Sequence, residues 1–322
     1  MRAVVATRPG PPSVLEIAEL PDPELAGGHV LVNVEVAGVT FIDTQLRAGG
    51  GPLPLPADAF PLVLGNGVAG TVVAVGADVD RRWLDVRAVA TTGGSGGYAS
   101  RATAAAGDLH RIPAGLDTHH AVALLADGRT ALGLTRSATV RGGDIVAVTA
   151  AGGGVGSLLV QLAQTNGARV IALASSRAKL DRAVELGAGH TLSYRQPGWE
   201  RMLQDIAPAL DVVFDGNGGE MTVQLLRHLA DGGRYVQHGA ASGAWSAIDA
   251  DVLRARGARV VTLADVAATA QERYQLIEDA LALGAAGKLV PSIGQVVPLE
   301  RAAAAHAAME ARDVVGKTLL VP

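Results

Sequence analysis

The spacing of hydrophobic residues changes near residue 118 and again near residue 265, and these changes divide the chain into three parts. In the first third, short apolar runs such as Val30–Val36 and Gly70–Val75 stand between prolines and glycines, a pattern that predicts β-strands. From about residue 118, short apolar runs alternate with longer segments of helical character. This alternation predicts an α/β domain with a parallel sheet covered by helices on both faces.

The elements of the middle and last parts follow from the apolar runs and their glycine and polar boundaries. Strands are predicted at Ile145–Thr149, Val170–Ala174, Thr191–Tyr194, Asp211–Phe214, Arg234–Val236 and Arg259–Leu263. Helices are predicted between them at Leu158–Asn166, Ala178–Leu186, Glu200–Ile206 and Met221–Leu229. After about residue 265 we expect a helix, an extended segment, a second helix and a last strand, at Ala270–Leu283, Lys288–Val297, Glu300–Met309 and Thr318–Val321. This last piece is too small to fold alone, so it is expected to return to the N-terminal part.

Composition narrows the class of protein. The 322 residues carry a formal net charge of -4 at pH 7, so no overall basic field favours nucleic acid. Cysteine is absent, which excludes disulfides and every thiolate zinc site. The uncharged stretch Ile145–Ala168 is long enough to span a membrane, but its glycines, Gln161 and Gln164 predict strand, turn and helix instead. We therefore expect a soluble, cytoplasmic protein with no membrane partner.

The strongest chemical signal is a cluster of glycines between a predicted strand and a predicted helix. The sequence IVAVTAAGGGVGSLLVQLAQTNGARVIALAS places the cluster after the strand that ends near Ala150, and Gly167 ends the helix in the left-handed capping position. Glycines let backbone N–H groups approach a pyrophosphate, and the helix N-terminus adds positive partial charge. The strict G-x-G-x-x-G spacing is not met, because Leu159 stands at its third position. The strand–turn–helix context still predicts a dinucleotide site.

The end of the second strand indicates which dinucleotide is bound. An NAD enzyme usually has an acidic residue about 20 residues beyond the turn, where it bonds the ribose hydroxyls. Here the strand is followed by hydroxyls and cations, among them Ser175, Arg177 and Lys179, with no acid. That set suits a 2′-phosphate and favours NADPH. The alternative is a solvated loop in which Ser176 is the N-cap of the next helix.

Several separated segments together resemble one family. They are the turn AAGGGVG, VAGVTFIDTQLRAG (36–49), LLADGRTALGL (124–134), VVFDGNGG (212–219), HGAASG (238–243) and GKTLLVP (316–322). In this order, they resemble the zinc-independent quinone oxidoreductases, a branch of the medium-chain dehydrogenases and reductases. The resemblance implies a β-rich, GroES-like catalytic domain from residues 1–117 and 265–322, a Rossmann NADPH-binding domain from residues 118–264, and a homodimer.

The resemblance also implies roles for individual residues around NADPH. The pyrophosphate would face Gly153, Gly154, Val155 and Gly156. The 2′-phosphate would be surrounded by Ser175, Lys179 and Tyr194, and the nicotinamide end would lie near Asp43 and Thr130. The nicotinamide ribose and amide would contact Asn217, Gly239, Ala241 and Lys317. From the residues alone, Thr130 would be an ordinary helix residue and Lys317 a surface cation.

Zinc is not expected in this chain. Zinc alcohol dehydrogenases of the same plan have a cysteine where this chain has Thr40, and a Gly-His-Glu segment where it has Gly65-Asn66-Gly67. Neither Thr40 nor Asn66 can serve as a ligand of a catalytic zinc site. A Tyr-x-x-x-Lys pair, which activates carbonyls in short-chain enzymes, is also absent from the sequence.

The chemistry that remains is hydride transfer to an electron-poor carbon of a quinone or an α,β-unsaturated carbonyl. The product oxygen is stabilised by conjugation, so hydrogen-bond donors and good positioning suffice. Candidate donors are Thr40, Gln45, Asn66 and Arg129, although Thr40 and Asn66 could merely fill the space of absent zinc ligands. The family shows asparagine and tyrosine at positions 40 and 45, so the substrate wall has changed. Two other functions stay open, an NADPH-binding protein with little turnover and a reductive cyclase or enoyl-thioester reductase of a biosynthetic pathway.

Overall fold

The structure is a computed structural model that describes residues 1–51, 55–56, 58–245, 248, 250–267 and 269–322. Its strands are β1 (Arg2–Ala6), β2 (Leu15–Glu19), β3 (His29–Val39), β4 (Leu62–Val63), β5 (Gly67–Val75), β6 (Arg87–Thr91), β7 (Arg101–Ala105), β8 (Leu109–Arg111), β9 (Ile145–Val148), β10 (Arg169–Ala174), β11 (His190–Ser193), β12 (Leu210–Asp215), β13 (Leu229–Gln237), β14 (Arg259–Thr262), β15 (Ile293–Pro298) and β16 (Lys317–Val321). Its α-helices are α1 (Phe41–Arg47), α2 (Thr118–Ala123), α3 (Arg129–Ser137), α4 (Gly154–Thr165), α5 (Arg177–Glu185), α6 (Trp199–Ile206), α7 (Glu220–Arg227), α8 (Ala250–Ala255), α9 (Ala270–Ala285) and α10 (Ala302–Glu310).

The chain forms two compact units. The terminal unit contains Met1–Ala126 and Ile277–Pro322, and the central unit contains Asp127–Leu276. The central unit is built on a parallel sheet with the strand order β11-β10-β9-β12-β13-β14. From β9 the chain first builds outward through β10 and β11, and then crosses to the other side of β9 to add β12, β13 and β14. This order is that of the doubly wound Rossmann fold, and it confirms the predicted fold class.

The local sequence explains why the central strands and the first crossover helix form where they do. The residues of β9 and β10 are almost all buried, as expected of central strands that are covered on both faces. Helix α4 ends at Thr165, and Gly167 then adopts a φ of 80°, which confirms the predicted left-handed cap. One buried hydrophobic cluster of the central unit joins Leu173 of β10 to Leu203 of α6 and Leu225 of α7.

The terminal unit contains two sheets that are largely antiparallel. One has the order β2-β1-β4, and the other has the order β15-β16-β3-β5-β6-β8 with β7 paired to β3. Strand β16 pairs with β3, with Thr318 opposite Val39, so the C-terminal segment returns to the N-terminal part as predicted. Tyr98 and Leu320 share one buried cluster, which shows that both chain segments build this core.

None of the helices among the described residues has both the length and the apolar character needed to cross a membrane.

Candidate cofactor and substrate site

The glycine turn joins the buried end of β9 to the start of α4. A Cβ atom on Gly156 would lie 2.4 Å from the Ala150 carbonyl oxygen and 2.9 Å from the Ala151 Cα atom, so only glycine lets the helix pack this closely. Gly153 is the N-cap in an extended conformation, and the Ser157 N–H donates to its carbonyl oxygen over 3.0 Å. The N–H groups of the first helical turn have no acceptor within the helix, which makes this end of α4 suited to an anion.

A carboxylate of the chain already borders this helix start. A Cβ atom on Gly154 would lie 2.0 Å from Oδ2 of Asp127, so the acid lies directly against the first residue of α4. Asp127 is buried at 9% exposure. The N-terminus of α4 is the positive end of the helix dipole, which favours negative charge at this point. The helix N-terminus would attract a phosphate group in the same way, whereas the negative charge of Asp127 would oppose one.

Lys179 is a residue of α5, and its side chain lies against the glycine turn. A Cβ atom on Gly152 would lie 2.4 Å from Cγ of Lys179, and the lysine side chain is buried at 9% exposure. Ser175, directly after β10, is buried at 6% exposure. Arg177 differs, because its side chain is 88% exposed and its Nε pairs with Asp181 Oδ1 at 2.7 Å. The structure therefore brings Lys179 to the turn and directs Arg177 into solvent. Ser176 occupies the N-cap position of α5 but makes no side-chain capping bond.

The carboxyl end of β12 carries a buried acid, Asp215, that the sequence patterns did not predict as a site residue. Asp215 is 0% exposed and accepts hydrogen bonds from the hydroxyls of Thr149, Thr222 and Tyr235 at 2.9, 2.8 and 2.5 Å. Burial and the Asp215 charge raise the pKa of Tyr235, which keeps its phenol protonated. The carboxylate also accepts from the N–H groups of Asn217 and Gly218, so it fixes the loop that follows β12. Its sequence signal was a polar residue at the end of a predicted buried strand.

Three of the residues expected near the nicotinamide ribose come together beyond β12 and β13. A Cβ atom on Gly239 would lie 2.7 Å from the Gly216 carbonyl oxygen, and the Ala241 N–H donates to that oxygen over 3.1 Å. Asn217 is 7% exposed, and its Oδ1 atom has no hydrogen-bond partner among the described residues. Tyr194 follows β11 and lines a cavity of about 350 Å³ that Asn217 also lines.

In the terminal unit, Thr40 and Asp43 form a capping box at the start of α1. The backbone N–H and the hydroxyl of Thr40 donate to Asp43 Oδ2 over 2.7 and 2.8 Å. Burial raises the pKa of Asp43, and the hydrogen bonds from Thr40 and the charge of Lys317 oppose this shift. The β3–β16 register places Lys317 beside Thr40, and its side chain is buried at 5% exposure. Lys317 is therefore not a surface cation.

A chain of polar side chains continues inward from Asp43. His306 Nε2 lies 3.1 Å from the Tyr98 hydroxyl, and Nη1 of Arg47 lies 3.4 Å from His306 Nδ1. Burial and the Arg47 charge lower the pKa of His306 to about 3, so the imidazole is neutral. Because the guanidinium can only donate, Nδ1 of His306 accepts and its Nε2–H donates to Tyr98. The participants are far apart in sequence, and no local pattern pointed to them.

Of the four candidate hydrogen-bond donors, Thr40, Gln45 and Asn66 belong to the terminal unit and Arg129 belongs to the central unit. Asn66 stands next to the Gly38–Gly67 pair at the end of β3, and its Oδ1 accepts from the Gly94 N–H over 2.6 Å. Gln45 is half-buried on α1, in the same unit. Arg129 instead begins α3 in the central unit, and burial and the charge of Arg273 lower its pKa. Thr130 follows it on the same helix and is half-buried.

Among the described residues, no group of three or more histidine or carboxylate side chains is arranged to hold a metal ion.

Comparisons with known proteins agree with this architecture. The family model described as alcohol dehydrogenase GroES-like domain matches residues 26–114, and the one described as zinc-binding dehydrogenase matches residues 186–320. A quinone oxidoreductase of Pseudomonas aeruginosa is 31% identical over 97% of both chains. A 2-haloacrylate reductase of Burkholderia sp. is 31% identical over 100% of this chain and 99% of its own.

A solved structure extends the likeness to the fold. The Escherichia coli quinone oxidoreductase complexed with NADPH superposes with a TM-score of 0.91 at 27% identity, over 100% of both chains. Sequence and structure thus agree over the whole length with the order of segments described above. The chain belongs to the quinone oxidoreductase branch of the medium-chain dehydrogenases and reductases.

Proposed function

We propose that the protein is an NADPH-dependent reductase that adds hydride to an electron-poor carbon of a quinone or an α,β-unsaturated carbonyl compound. The observation that carries the cofactor part of this proposal is the buried Lys179, folded against the glycine turn at the start of α4. A cation at that point complements a phosphate beyond the pyrophosphate site, which NADPH has and NADH lacks.

The residues around the turn fit a dinucleotide. Gly156 leaves room for the helix to start directly behind the turn, and the first-turn N–H groups, which have no acceptor within the helix, suit a pyrophosphate. Ser175 and Lys179 would hold the adenosine 2′-phosphate, while Arg177 would act only at long range from solvent. The bound NADPH would supply the hydride.

The relatives support both parts of the proposal. The Escherichia coli quinone oxidoreductase was crystallised with NADPH, which supports the cofactor. The Burkholderia relative is described as a reductase of 2-haloacrylate, an activated alkene, which supports an α,β-unsaturated substrate beside quinones.

On the substrate side, the polar groups of the terminal unit have defined orientations. The hydroxyl proton of Thr40 is directed to Asp43, so in this state Thr40 offers an acceptor. Asn66 uses its carbonyl on Gly94, and its amide N–H donors, which make no hydrogen bond to the described residues, would serve a substrate. These groups would bind and orient an oxygen that conjugation already stabilises.

The test is NADPH oxidation by the purified protein with a panel of benzoquinones, enones, 2-haloacrylate and enoyl thioesters, with the products identified. We expect saturable turnover with at least one quinone or activated alkene and a product reduced by two electrons. Cofactor binding without turnover on any member would replace this proposal with the binding-protein alternative. Turnover confined to thioesters would replace it with the biosynthetic reductase.

We also propose that the central unit is the NADPH-binding domain and the terminal unit the catalytic domain. Isolated residues Asp127–Leu276 would not test this, since α9 crosses the boundary at Leu276. Cofactor-induced changes in amide hydrogen exchange of the whole chain would test it, because protection should concentrate around the turn before α4.

A further inference from the structure

His238 lies over the centre of the Rossmann sheet. It follows β13, and a Cβ atom on Gly216 would lie 2.7 Å from its Cε1 atom, 3.2 Å from its Nε2 atom and 3.4 Å from the Ala150 Cβ atom. Gly216 follows β12 and Ala150 follows β9, so the imidazole reaches across the carboxyl ends of these two neighbouring strands. The strand order reverses between β9 and β12, and ligands of doubly wound sheets bind at that point.

The polar atom that His238 brings there is unsatisfied. Nε2 is closed to solvent and has no hydrogen-bond partner among the residues that the structure describes. Oδ1 of Asn217, a residue that is 7% exposed, is in the same condition. Buried polar atoms in native proteins are almost always hydrogen-bonded, so two unsatisfied atoms on adjoining loops indicate a missing ligand. Burial lowers the pKa of His238 to about 4, so this group can offer a neutral hydrogen bond and no charge.

The position of the two atoms decides which part of the ligand they meet. Ser175 and Lys179 follow β10, on one side of β9, and the glycine turn stands at β9 itself. A dinucleotide with its 2′-phosphate at Lys179 and its pyrophosphate at the turn must continue toward β12 and β13. That direction ends at Asn217 and His238.

We propose that His238 Nε2 hydrogen-bonds the nicotinamide riboside half of NADPH, through its ribose hydroxyls or its carboxamide, beside the Oδ1 atom of Asn217, which the family resemblance already implies at this end of the cofactor. This assignment rests on the proposed function. It gives His238 a binding role, and it explains why a polar ring occupies an otherwise tightly packed strand end.

The test compares three ligands on wild type and on His238→Phe, which keeps a ring and removes the nitrogen. NADPH contains both groups, 2′-phospho-ADP-ribose lacks the carboxamide, and adenosine 2′,5′-bisphosphate lacks the whole riboside. His190→Phe is the matched control, because exposed His190 begins β11 at the opposite edge of the sheet. Calorimetry should show NADPH bound about threefold to tenfold more weakly by His238→Phe, the loss expected for one neutral hydrogen bond, and unchanged by the control.

The three ligands separate the outcomes. His238→Phe should bind the bisphosphate as tightly as wild type does. If this variant also binds 2′-phospho-ADP-ribose more weakly, His238 contacts the ribose. If it binds 2′-phospho-ADP-ribose as tightly as wild type, His238 contacts the carboxamide. Equal weakening of all three ligands, or of none, would overturn the proposal. Failure of wild type to bind NADPH or the bisphosphate would instead refute the proposed function.

Thermal unfolding supplies a readout that does not depend on the ligand. Removing an unsatisfied buried nitrogen should leave the Tm of the ligand-free His238→Phe protein unchanged or raised. Because a phenyl ring is larger than imidazole and overpacking also lowers stability, the same measurement is made on the smaller His238→Leu; a lowered Tm of both variants would show that the imidazole has a structural partner and would count against the proposal. In wild type, the imidazole ¹⁵N resonance that His238→Phe removes should shift on addition of NADPH and stay in place with the bisphosphate.

Discussion

Replacing Lys179 should separate NADPH from NADH. The side chain is 9% exposed, and its stem packs on Gly152, so truncation to alanine would remove packing along with charge. Lys179→Met keeps most of the stem and removes the ammonium group. A hydrogen bond to a charged group contributes about 1.5–3 kcal/mol, and the low exposure of Lys179 limits solvent screening. NADPH should therefore bind roughly ten- to a hundredfold more weakly, since each 1.4 kcal/mol is about tenfold.

The assay is titration of NADPH and NADH into wild type and Lys179→Met, followed by fluorescence or calorimetry. NADH affinity should change little, because NADH has no 2′-phosphate. Lys288→Met is the matched control, since Lys288 is exposed in the terminal unit and should change neither affinity. If both cofactors weaken by the same factor in Lys179→Met, the lysine supports the turn and does not select the phosphate.

Four further outcomes are expected. Gly156→Ala should lower the free energy of unfolding by about 1–3 kcal/mol, because its Cβ meets backbone, whereas Gly153→Ala has its nearest neighbour at 3.3 Å and should be tolerated in denaturant titrations. Elemental analysis should find no stoichiometric zinc, given Thr40 and Asn66 at the ligand positions, and bound zinc would refute this. Gln45→Tyr should shift the kcat/KM ratio of a quinone to an enone toward the quinone, because tyrosine adds an aromatic face, and an unmoved ratio would remove Gln45 from the substrate wall. Light scattering should show a two-fold dimer, because the outer edge of the last strand, β14, would otherwise be unpaired. A monomer at micromolar concentration would contradict this expectation.

The central unit was largely predictable, because its signals are local. A buried parallel strand is a short apolar run, and a crossover helix starts after a turn whose glycines are visible in sequence. The predicted strand Val170–Ala174 differs from β10 by one residue at its start, and the predicted helix Ala178–Leu186 is shifted from α5 by one. The first crossover helix begins at Gly154, four residues before the predicted start at Leu158; the sequence predicts a later start because the opening Gly154-Val155-Gly156 has poor helix propensity. Its start is set by the packing of Gly156 on the turn.

The candidate site residues also differ in whether local sequence predicts their positions. Lys179 could be selected because it follows a strand end in a segment without acids, and the structure brings it to the turn. Arg177, chosen by the same argument, instead points into solvent and pairs with Asp181 one helical turn later. Composition of a loop shows which charges are available, but the helix phase of α5 decides which of them face the turn.

The hydrogen-bonded polar side chains of the terminal unit could not be predicted from any local stretch of sequence. Asp43, Tyr98 and His306 come from three distant segments, and they meet because α1, the segment before β7 and α10 pack on one buried cluster. In a low-dielectric interior each of these groups must find a partner, so the position of one constrains the next. The neutral His306 donates to Tyr98, and Tyr98 in turn hydrogen-bonds Asp43, which accepts from Thr40. The orientation of a candidate substrate-binding hydroxyl is therefore set from α10, more than 250 positions away in the chain.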